Sequence, residues 1–417
     1  AMVHPEWSYK AVIYEMNVRQ LTCDGTLAAA TEQLPRLAQM GIDCIWLMPV
    51  YPIGVVERKG SLGSYYSISD YCAINPEFGD FNAFDTFVAS AHSLGMKVIL
   101  DWIANHTSWD NPWTKNKGWH STDASGNIIS PPGFNWTDVA DLNFGNNDMR
   151  EAMKDAMAYW VTEAGVDGFR CDYAEGVPQD FWTDALAHLR SIKPEIILLA
   201  EGDKSWIYEV GFDIMYAWSF PNALEKVFKG NSGAASIFDA FNNDMSNVPK
   251  GKTRMRYIIN HDTASEHSPI ALYGGERGAM AAFVMATMLE GCPLIYSSQE
   301  IGYSKSLSFF NNNVMKWDSN KSYTDEYRKV MRAYNSTRDV RVSDPVLANT
   351  GNVAKMTYTN SIGESFVVMV NTKNEKATVK VPLAIAGKEV TDLMTGETVV
   401  AATAIDMEPY QYFIYRK

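Results

Sequence analysis

The chain of 417 residues has little cysteine and a shortage of basic side chains, and each absence excludes a class of protein. Its five cysteines are odd in number and match no zinc or redox spacing, so a disulfide framework is not expected. The 36 Lys and Arg residues face 49 Asp and Glu residues, a net charge of −13. This balance argues against nucleic acid or an anionic membrane as partner. There is no membrane span, because no apolar run is long enough to cross a bilayer.

Three of the cysteines, Cys44, Cys171 and Cys292, lie in or beside strand-like runs. Free cysteine is among the most buried residue types, so these side chains are predicted to be buried thiols. Cys171 alternates with Arg170 and Asp172 and should point away from both, into packing with helices. We therefore do not interpret it as a nucleophile.

The first ten residues carry no signal-peptide pattern. That leaves either a cytoplasmic protein or a sequence trimmed of its leader. Ala1 before Met2 is typical of a cloning remnant and favours the second alternative. A secreted or periplasmic protein is expected.

What the chain does have is material for a large core, with 46% hydrophobic and 12% aromatic residues. Eight short apolar runs read as strands: Ala11–Val18, Ile42–Pro49, Lys97–Asp101, Val166–Asp172, Glu195–Glu201, Phe212–Tyr216, Arg254–Asn260 and Pro293–Ser297. Helical periodicity between them predicts helices at Thr26–Met40, Phe81–Leu94, Asn147–Glu163, Pro178–Ile192, Asn222–Lys229, Arg277–Glu290 and Tyr323–Ser336. This alternation predicts an α/β fold, a (β/α)₈ barrel. The alternative, an open doubly wound sheet, would lack a Gly-rich phosphate turn after its first strand.

Two segments depart from the alternation. Residues 107–143 are rich in Trp, Gly and Pro and too long for an ordinary connection, so they are predicted to be an insertion. From Asp344 onward, strand-like runs separated by turns predict a small antiparallel β domain. The predicted domains are the barrel at 1–106 and 144–341, the inserted domain at 107–143 and the β domain at 342–417.

The stretch GVDGFRCDYAEG, residues 165–176, contains the central residues of the predicted site. Gly168, Arg170 and Asp172 fall at every second position of a strand and share one face. A permanent cation beside a carboxylate should lower the pKa of Asp172 and keep it ionised. An ionised, oriented Asp can act as a nucleophile, although a structural ion pair is the simpler reading of the pair taken alone.

Polar residues follow four of the predicted strands. In a (β/α)₈ barrel the chemistry sits at the C-terminal ends of the strands, so these side chains should converge on one rim. They are Asp101, Asn105, His106, Arg170, Asp172, Glu201, Asn260, His261 and Asp262. Convergence of so many acids and histidines favours catalysis over a collection of loop caps and surface acids.

In order along the chain, the strings DWIANH, GFRCD, a strand-end Glu and NHD resemble the α-amylase superfamily of retaining glycoside hydrolases. AVIYEMNVRQ, IWLMPVYP, SYYSISDYCAINPEFG and ADLNF support the resemblance, which runs from about Ala11 to Ser336. It implies that Asp172 is the nucleophile, that Glu201 is the general acid and that Asp262 stabilises the transition state. Burial and nearby negative charge should raise the pKa of Glu201, as an acid working near neutrality requires.

The resemblance also implies substrate-binding residues. His106 and His261 would hydrogen-bond the sugar, Tyr66 would stack beneath it, and Arg170 belongs to the same group. Asp101 is expected to orient Arg170 rather than to touch substrate. Trp109, Trp113, Trp119 and Trp136 lie on the insertion and either form sugar platforms or pack the small domain.

Calcium is the one cofactor that the resemblance implies, and no organic cofactor is expected. Asn105 and Asp141 match oxygen ligands of the family's calcium site, and hard cations take such ligands. Glu175 and Gly176, however, replace the Lys-His pair of calcium-dependent α-amylases. In relatives without calcium, Asn105 and Asp141 would be structural hydrogen-bonders, and both readings stay open.

The sequence therefore predicts a retaining enzyme that cleaves α-1,4-glucosidic bonds of starch or maltooligosaccharides. Its partner would be an α-glucan, and a monomer is expected. An α-glucosidase, a cyclomaltodextrinase or a glucanotransferase of the same family is the close alternative. A non-catalytic carbohydrate-binding relative is the alternative of another class; the presence of Asp172, Glu201 and Asp262 counts against it.

Overall fold

The computed structural model describes Ser8 and residues 11–308 and 315–417, so most of the N-terminal stretch discussed above lies outside it. The strands, numbered in chain order, are β1 Ile13–Met16, β2 Cys44–Leu47, β3 Lys97–Trp102, β4 His106–Ser108, β5 Val139–Asp141, β6 Gly168–Cys171, β7 Ile197–Ala200, β8 Ile214–Tyr216, β9 Thr253–Arg256, β10 Cys292–Tyr296, β11 Val346–Thr350, β12 Val353–Thr359, β13 Ser365–Asn371, β14 Ala377–Lys380, β15 Glu389–Asp392, β16 Thr398–Val400, β17 Ala404–Met407 and β18 Tyr412–Arg416.

The α-helices are α1 Val18–Leu21, α2 Leu27–Thr31, α3 Leu34–Met40, α4 Phe81–Ser93, α5 Asn147–Thr162, α6 Gln179–Ile192, α7 Trp206–Val210, α8 Phe220–Phe228, α9 Ala235–Met245, α10 His261–Glu266, α11 Pro269–Leu272, α12 Gly275–Met288 and α13 Lys321–Asn335. Among the described residues, no helix is long and apolar enough to cross a membrane.

Eight parallel strands close into a barrel in the order β1-β2-β3-β6-β7-β8-β9-β10. The predicted barrel is confirmed. Its register decides the site, because Asp101 of β3 lies opposite Arg170 of β6, and Cys171 lies opposite Ala200 of β7. The next residues along β6 and β7 are Asp172 and Glu201, so the ladder delivers both to the same rim.

Gly168 allows β6 and β7 to approach closely. A Cβ atom at this position would lie 1.9 Å from the carbonyl oxygen of Ile197 in β7. Any side chain would therefore force the two strands apart. Because Arg170 follows two residues later on the same face, the glycine helps to set the depth of the guanidinium in the barrel.

Two apolar clusters separate the inside of the barrel from its helical layer. Trp46, Ile99 and Leu199 belong to the inner cluster, together with Cys44 and Cys292. Cys171 belongs instead to the large outer cluster between strands and helices. The prediction of buried free thiols at these three positions is confirmed; Cys23 and Cys72 are exposed and also free.

The segment between β3 and α5 forms no helix longer than the 3₁₀ turn Pro112–Lys115. It is organised by the antiparallel pair β4 and β5, in which His106 lies opposite Asp141. After α13 the chain forms a six-stranded sheet in the order β11-β12-β13-β18-β15-β16 and a separate pair, β14-β17. The predicted C-terminal antiparallel β domain is confirmed.

Some boundaries differ from those predicted. The helix predicted at Thr26–Met40 is broken into α2 and α3, with Pro35 in the first turn of α3. Proline lacks an N–H and clashes with the preceding turn, which prevents one continuous helix. The first strand also ends at Met16, because the chain enters the short helix α1 after Asn17, whose side chain donates to Gln20.

Candidate active site

A cavity of about 480 Å³ opens at the C-terminal ends of the barrel strands, and we call it the rim cavity. Nine residues were predicted to be catalytic, substrate-binding or metal-binding. Six of them line the rim cavity: Tyr66, His106, Asp172, Glu201, His261 and Asp262. Arg170 is completely buried beneath it. Asn105 and Asp141, the predicted metal ligands, are not part of its lining.

Arg170 connects the acids of the site. Its Nη1 donates to Asp101 Oδ1 at 3.0 Å and to Asp172 Oδ1 at 2.9 Å, and its Nη2 donates to Glu201 Oε2 at 3.1 Å. Nε and Nη2 also donate to the Tyr216 hydroxyl at 3.0 and 2.8 Å. The planar guanidinium therefore fixes the relative positions of the two carboxyl groups that face the cavity.

Asp101 anchors this network from below. Its second oxygen, Oδ2, accepts hydrogen bonds from Trp46 Nε1 at 3.0 Å and from the Tyr66 hydroxyl at 2.8 Å. Asp101 is fully buried and does not line the rim cavity. This placement agrees with the expectation that Asp101 orients Arg170.

The predicted direction of the Asp172 pKa was wrong. Arg170 does act to lower the pKa of Asp172, but burial is the larger effect and raises it from its ordinary value of 3.8. The charge of Asp101 adds to the rise. The physical reason is that the local sequence shows the cation beside Asp172 but not its burial, and in the fold Arg170 is also shared with Asp101 and Glu201.

Glu201 has the electrostatic properties predicted for an acid. Burial raises its pKa to about 7; Arg170 opposes the rise, and the charges of Asp172 and Asp262 reinforce it. The backbone N–H of Tyr173 donates to Glu201 Oε1 at 2.7 Å. Tyr173 has a φ of 39°, a left-handed conformation that is rare for a bulky residue. The strained backbone aims this N–H at the carboxyl group.

His261 lies between two carboxylates and a tyrosine. Its Nδ1 is 2.6 Å from Glu15 Oε2, its Nε2 is 3.4 Å from Asp262 Oδ1, and the ring stacks on Tyr66 at 5.2 Å. The Tyr66 hydroxyl gives its single proton to Asp101, so at the 3.1 Å contact it accepts from His261 Nε2.

Both ring nitrogens of His261 therefore carry protons. Burial would lower the pKa of His261, but the charges of Asp262 and Glu15 outweigh it and raise the pKa to about 10. His261 is thus an imidazolium across the physiological range. Asp262 itself is 64% exposed and free to meet a ligand in the cavity.

His106, the second histidine of the site, is neutral where His261 is positively charged. It is buried beside Trp136, at 5.5 Å between ring centroids, and burial lowers its pKa to about 4. The Asn105 Nδ2 group lies 3.1 Å from His106 Nδ1 and donates to it. The Nε2 atom of this neutral ring therefore carries the proton, and a hydrogen bond to the backbone of Tyr66 also holds the ring.

The predicted metal site has few donor atoms. Asn105 and Asp141 sit side by side, since the Leu142 N–H donates to the Asn105 carbonyl at 3.3 Å. They offer one amide and one carboxylate, whereas calcium takes about six to eight oxygen ligands. Nowhere in residues 11–308 and 315–417 do three or more His, Cys, Asp or Glu side chains group to hold one metal ion. The side chains present fit a structural hydrogen-bonding role better than a calcium cage.

Sequence reasoning missed several residues of the site. Glu15 lies in the first predicted strand, and no role was predicted for it. An acid inside an apolar run is itself a signal of a functional or paired carboxylate. Glu175 was noted only as a departure, but its Oε1 accepts hydrogen bonds from the backbone N–H groups of Asp203 and Lys204 beside Glu201. Lys59 and Trp218 also line the rim cavity, and nothing in their local sequence indicated it.

The tryptophans of the insertion divide between the two predicted roles. Trp136 lines the rim cavity and stacks on Phe134 at 4.0 Å. Trp113 and Trp119 pack edge-to-face against each other and on the core. Trp109 donates its Nε1–H to the Thr137 carbonyl at 2.9 Å. Of the four, Trp136 alone lines the rim cavity.

The geometry combines an Asp and a Glu on one guanidinium, an exposed third acid and two histidines of different charge. This arrangement can be assigned to a protein family. The model of the α-amylase catalytic domain matches residues 11–127 and 134–346. The chain belongs to the α-amylase family.

Its relatives in that family are well matched in structure. A crystal structure of an α-amylase from Lactobacillus plantarum superposes with a TM-score of 0.89, at 30% sequence identity and over 98% of both chains. The α-amylase MalA of Haloarcula japonica is 27% identical over 94% of this chain and 59% of its own length. A cyclomaltodextrinase of Geobacillus thermopakistaniensis is 24% identical over 94% of this chain and 70% of its own. The chain thus spans less than two thirds of the Haloarcula protein.

Proposed function

We propose that this α-amylase family member is a retaining hydrolase of α-1,4-glucosidic bonds in starch or maltooligosaccharides. The observation that carries the proposal is the Arg170 guanidinium, which holds Asp172 and Glu201 side by side at the cavity while Glu201 has a pKa of about 7. Two carboxyl groups in different environments are what a nucleophile and a general acid require.

In the proposed reaction, the ionised Asp172 attacks the anomeric carbon and forms a glycosyl ester. Glu201 gives its proton to the leaving glycosidic oxygen in the same step. Water then enters, Glu201 takes its proton, and the water oxygen displaces Asp172 from the anomeric carbon. Each carboxyl group returns to its starting protonation state, and the product keeps the α configuration.

The remaining residues stabilise the sugar as positive charge develops on it. Asp262 is exposed to the cavity and carries the negative charge that suits this role. His106 lines the cavity as a neutral ring, and Tyr66 presents its ring beside it in the lining. His261 holds Tyr66 and Asp262 in place from behind.

The charge of the rim cavity favours a neutral sugar. Six carboxylate residues line it, against two cations, Lys59 and the imidazolium of His261. The carboxylate residues are Asp138, Asp172, Glu175, Glu201, Asp203 and Asp262. A phosphorylated or carboxylated substrate would be repelled by this lining, whereas the hydroxyl groups of a glucan would be hydrogen-bonded by it.

The named relatives include an α-amylase and a cyclomaltodextrinase. The proposal therefore includes cyclomaltodextrin opening and glucan transfer as alternative activities of this family. A time course of products from amylose, maltotriose and cyclodextrin separates them. Early release of mixed oligosaccharides from amylose indicates an α-amylase, whereas preferred cyclodextrin opening indicates a cyclomaltodextrinase. Longer products than the substrate indicate transfer.

The deciding experiment is reducing-sugar release from soluble starch by the parent protein and by Asp172→Asn. The amide cannot form the glycosyl ester, so turnover should fall by about 10⁴-fold or more, as in other enzymes that lose a covalent nucleophile. Asp184→Asn is the matched control, because Asp184 pairs with Lys154 on the surface of α6. No release from any α-glucan by the parent would support the non-catalytic alternative, and near-normal hydrolysis by Asp172→Asn would remove Asp172 as the nucleophile.

A further inference from the structure

A second cavity of about 240 Å³ lies beside the rim cavity, and we call it the side cavity. The two share Glu201, Trp218 and Asp262, so they meet at the proposed acid. The remaining walls of the side cavity come from α8, with Asn222 and Glu225, and from the segment after β9. Nothing in the proposed hydrolysis of a linear chain uses this space.

The position of the side cavity relative to Glu201 shows that it lies on the leaving-group side of the substrate. Tyr66, His106 and His261, which surround the sugar under attack, line the rim cavity alone. Glu201 lines both cavities, and it protonates the oxygen of the leaving group. The side cavity therefore begins where the leaving sugar sits and extends away from the attacked ring.

The rim cavity has its own continuation on the same side of the site. Past Glu201 it is lined by Glu175, Gly202 and Asp203. Two separate spaces thus leave the position of the leaving sugar. A linear glucan can fill one of them, whereas a leaving sugar that is substituted at two hydroxyl groups fills both.

We propose that the side cavity binds a glucosyl branch carried by the leaving sugar, so that the enzyme cleaves α-1,4 bonds next to a branch point. This inference rests on the proposed hydrolysis and extends it to branched α-glucans. The occupant of the space beyond Trp218 is the sugar side chain, which is attached through a second hydroxyl of the leaving unit.

The chemistry of the walls suits a neutral sugar ring. Trp218 is 41% exposed, and its ring is held against Tyr216 at 4.9 Å, which leaves a fixed apolar face towards the cavities. Asn222 and Thr263 supply amide and hydroxyl groups for sugar hydroxyls. Lys229 neutralises the carboxylate of Glu225. The volume lies just below the range of about 300–1,000 Å³ found for drug-sized ligands, as expected for a single sugar unit.

Asn222 and Lys226 provide a matched pair of variants. Both are exposed on α8, four residues apart, but Asn222 lines the side cavity and Lys226 does not. Asn222→Trp should fill the mouth of the side cavity, whereas Lys226→Trp places the same bulk one turn away. Because both positions are exposed, neither change disturbs the core.

The test compares kcat/KM for a linear maltooligosaccharide with that for an isomer of equal glucose number carrying an α-1,6 glucosyl branch on the leaving-group side. The parent should cleave both, and Asn222→Trp should lower the branched-to-linear ratio at least tenfold. Lys226→Trp should leave that ratio unchanged within twofold. A parent that rejects the branched isomer, or an Asn222→Trp variant with an unchanged ratio, would overturn the proposal.

Binding to the Asp172→Asn protein gives a second, turnover-independent measurement by calorimetry. The branched isomer should bind at least as tightly as the linear one, and adding Asn222→Trp should weaken the branched isomer selectively by about tenfold. Equal weakening of both ligands would contradict a branch site. Failure of the proposed function looks different, because the parent would then cleave neither isomer.

Discussion

Glu15 Oε2 lies 2.6 Å from His261 Nδ1, and both side chains are buried at the top of the barrel. The pair joins β1 to the segment after β9, 246 residues later in the chain. Together with Asp262, it keeps His261 positively charged, and His261 in turn holds the Tyr66 hydroxyl and the carboxylate of Asp262. The first strand of the barrel thus contributes a positioning residue that touches no substrate.

Glu15→Gln should lower the pKa of His261 from about 10, because it removes a buried negative charge 2.6 Å from the ring. The folded-state pKa of His261 is raised, so the stabilisation from this pair is complete below the unfolded value of about 6.5 and is lost as pH rises through about 10. The variant should therefore be destabilised near neutral pH and approach the parent above pH 10. NMR titration of the imidazole and melting curves across pH measure both effects.

Glu300→Gln is the control for that variant. Glu300 is equally buried and pairs with Arg36 at 3.1 Å, but it does not line the rim cavity. This change should lower stability and leave the titration of His261 where it was. An identical His261 pKa in the parent and in Glu15→Gln would mean that the ion pair does not set the charge of the ring.

Glu201 should set the alkaline limb of the pH–rate profile. Its pKa of about 7 means that the proton needed by the leaving group is lost as pH rises through that value. Activity should also fall in acid, at a pH above the ordinary Asp value of 3.8, because burial raises the pKa of Asp172. The kcat/KM of the parent on maltooligosaccharides, measured from pH 3 to pH 10, should be bell-shaped.

Glu201→Gln should remove the alkaline limb and lower activity on natural glycans by about 10²–10⁴-fold, the range for loss of a general acid. Aryl glycosides with good leaving groups need less protonation, so their first step should lose much less. Equal losses on both substrates would assign Glu201 a role other than the acid. Asp184→Asn again serves as the control for a surface carboxylate.

The stereochemistry of the product tests direct attack by Asp172. Retaining glycosidases hold their two carboxyl groups about 5–5.5 Å apart, which leaves no room for a water molecule between the second carboxylate and the anomeric carbon. The sharing of Arg170 by Asp172 and Glu201 agrees with this close arrangement. NMR of the first product should show the α anomer, and an initial β anomer would overturn the covalent mechanism.

Removal of calcium should leave the protein unchanged. Asn105 and Asp141 present too few oxygen ligands for calcium. Exhaustive dialysis against EDTA is therefore expected to preserve the melting temperature and the activity on starch. A fall in melting temperature that added calcium reverses would show that these two residues tie the insertion to the barrel through a metal, since binding to the folded state alone stabilises it.

Ser298 should tolerate glycine better than serine. Its φ is 129°, a conformation that residues with a Cβ rarely adopt and that costs about 1–3 kcal/mol. Ser298→Gly should raise the stability by about 1 kcal/mol, because the greater freedom of glycine in the unfolded chain offsets part of the gain. Ser297→Gly is the control and should destabilise, since the Ser297 hydroxyl accepts the Asn17 N–H at 3.0 Å. Equal melting temperatures for the parent and Ser298→Gly would refute the strain.

The fold followed from the sequence because its signals are local. Each barrel strand is a short apolar run, and all eight predicted runs overlap an observed strand, such as Cys44–Leu47 within Ile42–Pro49. Short helices without a clear apolar period escaped prediction, for example Trp206–Val210 and Pro269–Leu272.

The sequence by itself determined which acids would meet, because residues that follow parallel barrel strands must share one rim. Asp172, Glu201 and Asp262 were identified in this way. Their charge states were decided only by the tertiary structure. The pKa of Asp172 depends on its burial and on the other carboxylates around Arg170, and that of His261 depends on Asp262 and on Glu15 in another strand. Burial and long-range pairing act through space, so the order of residues along the chain does not reveal them.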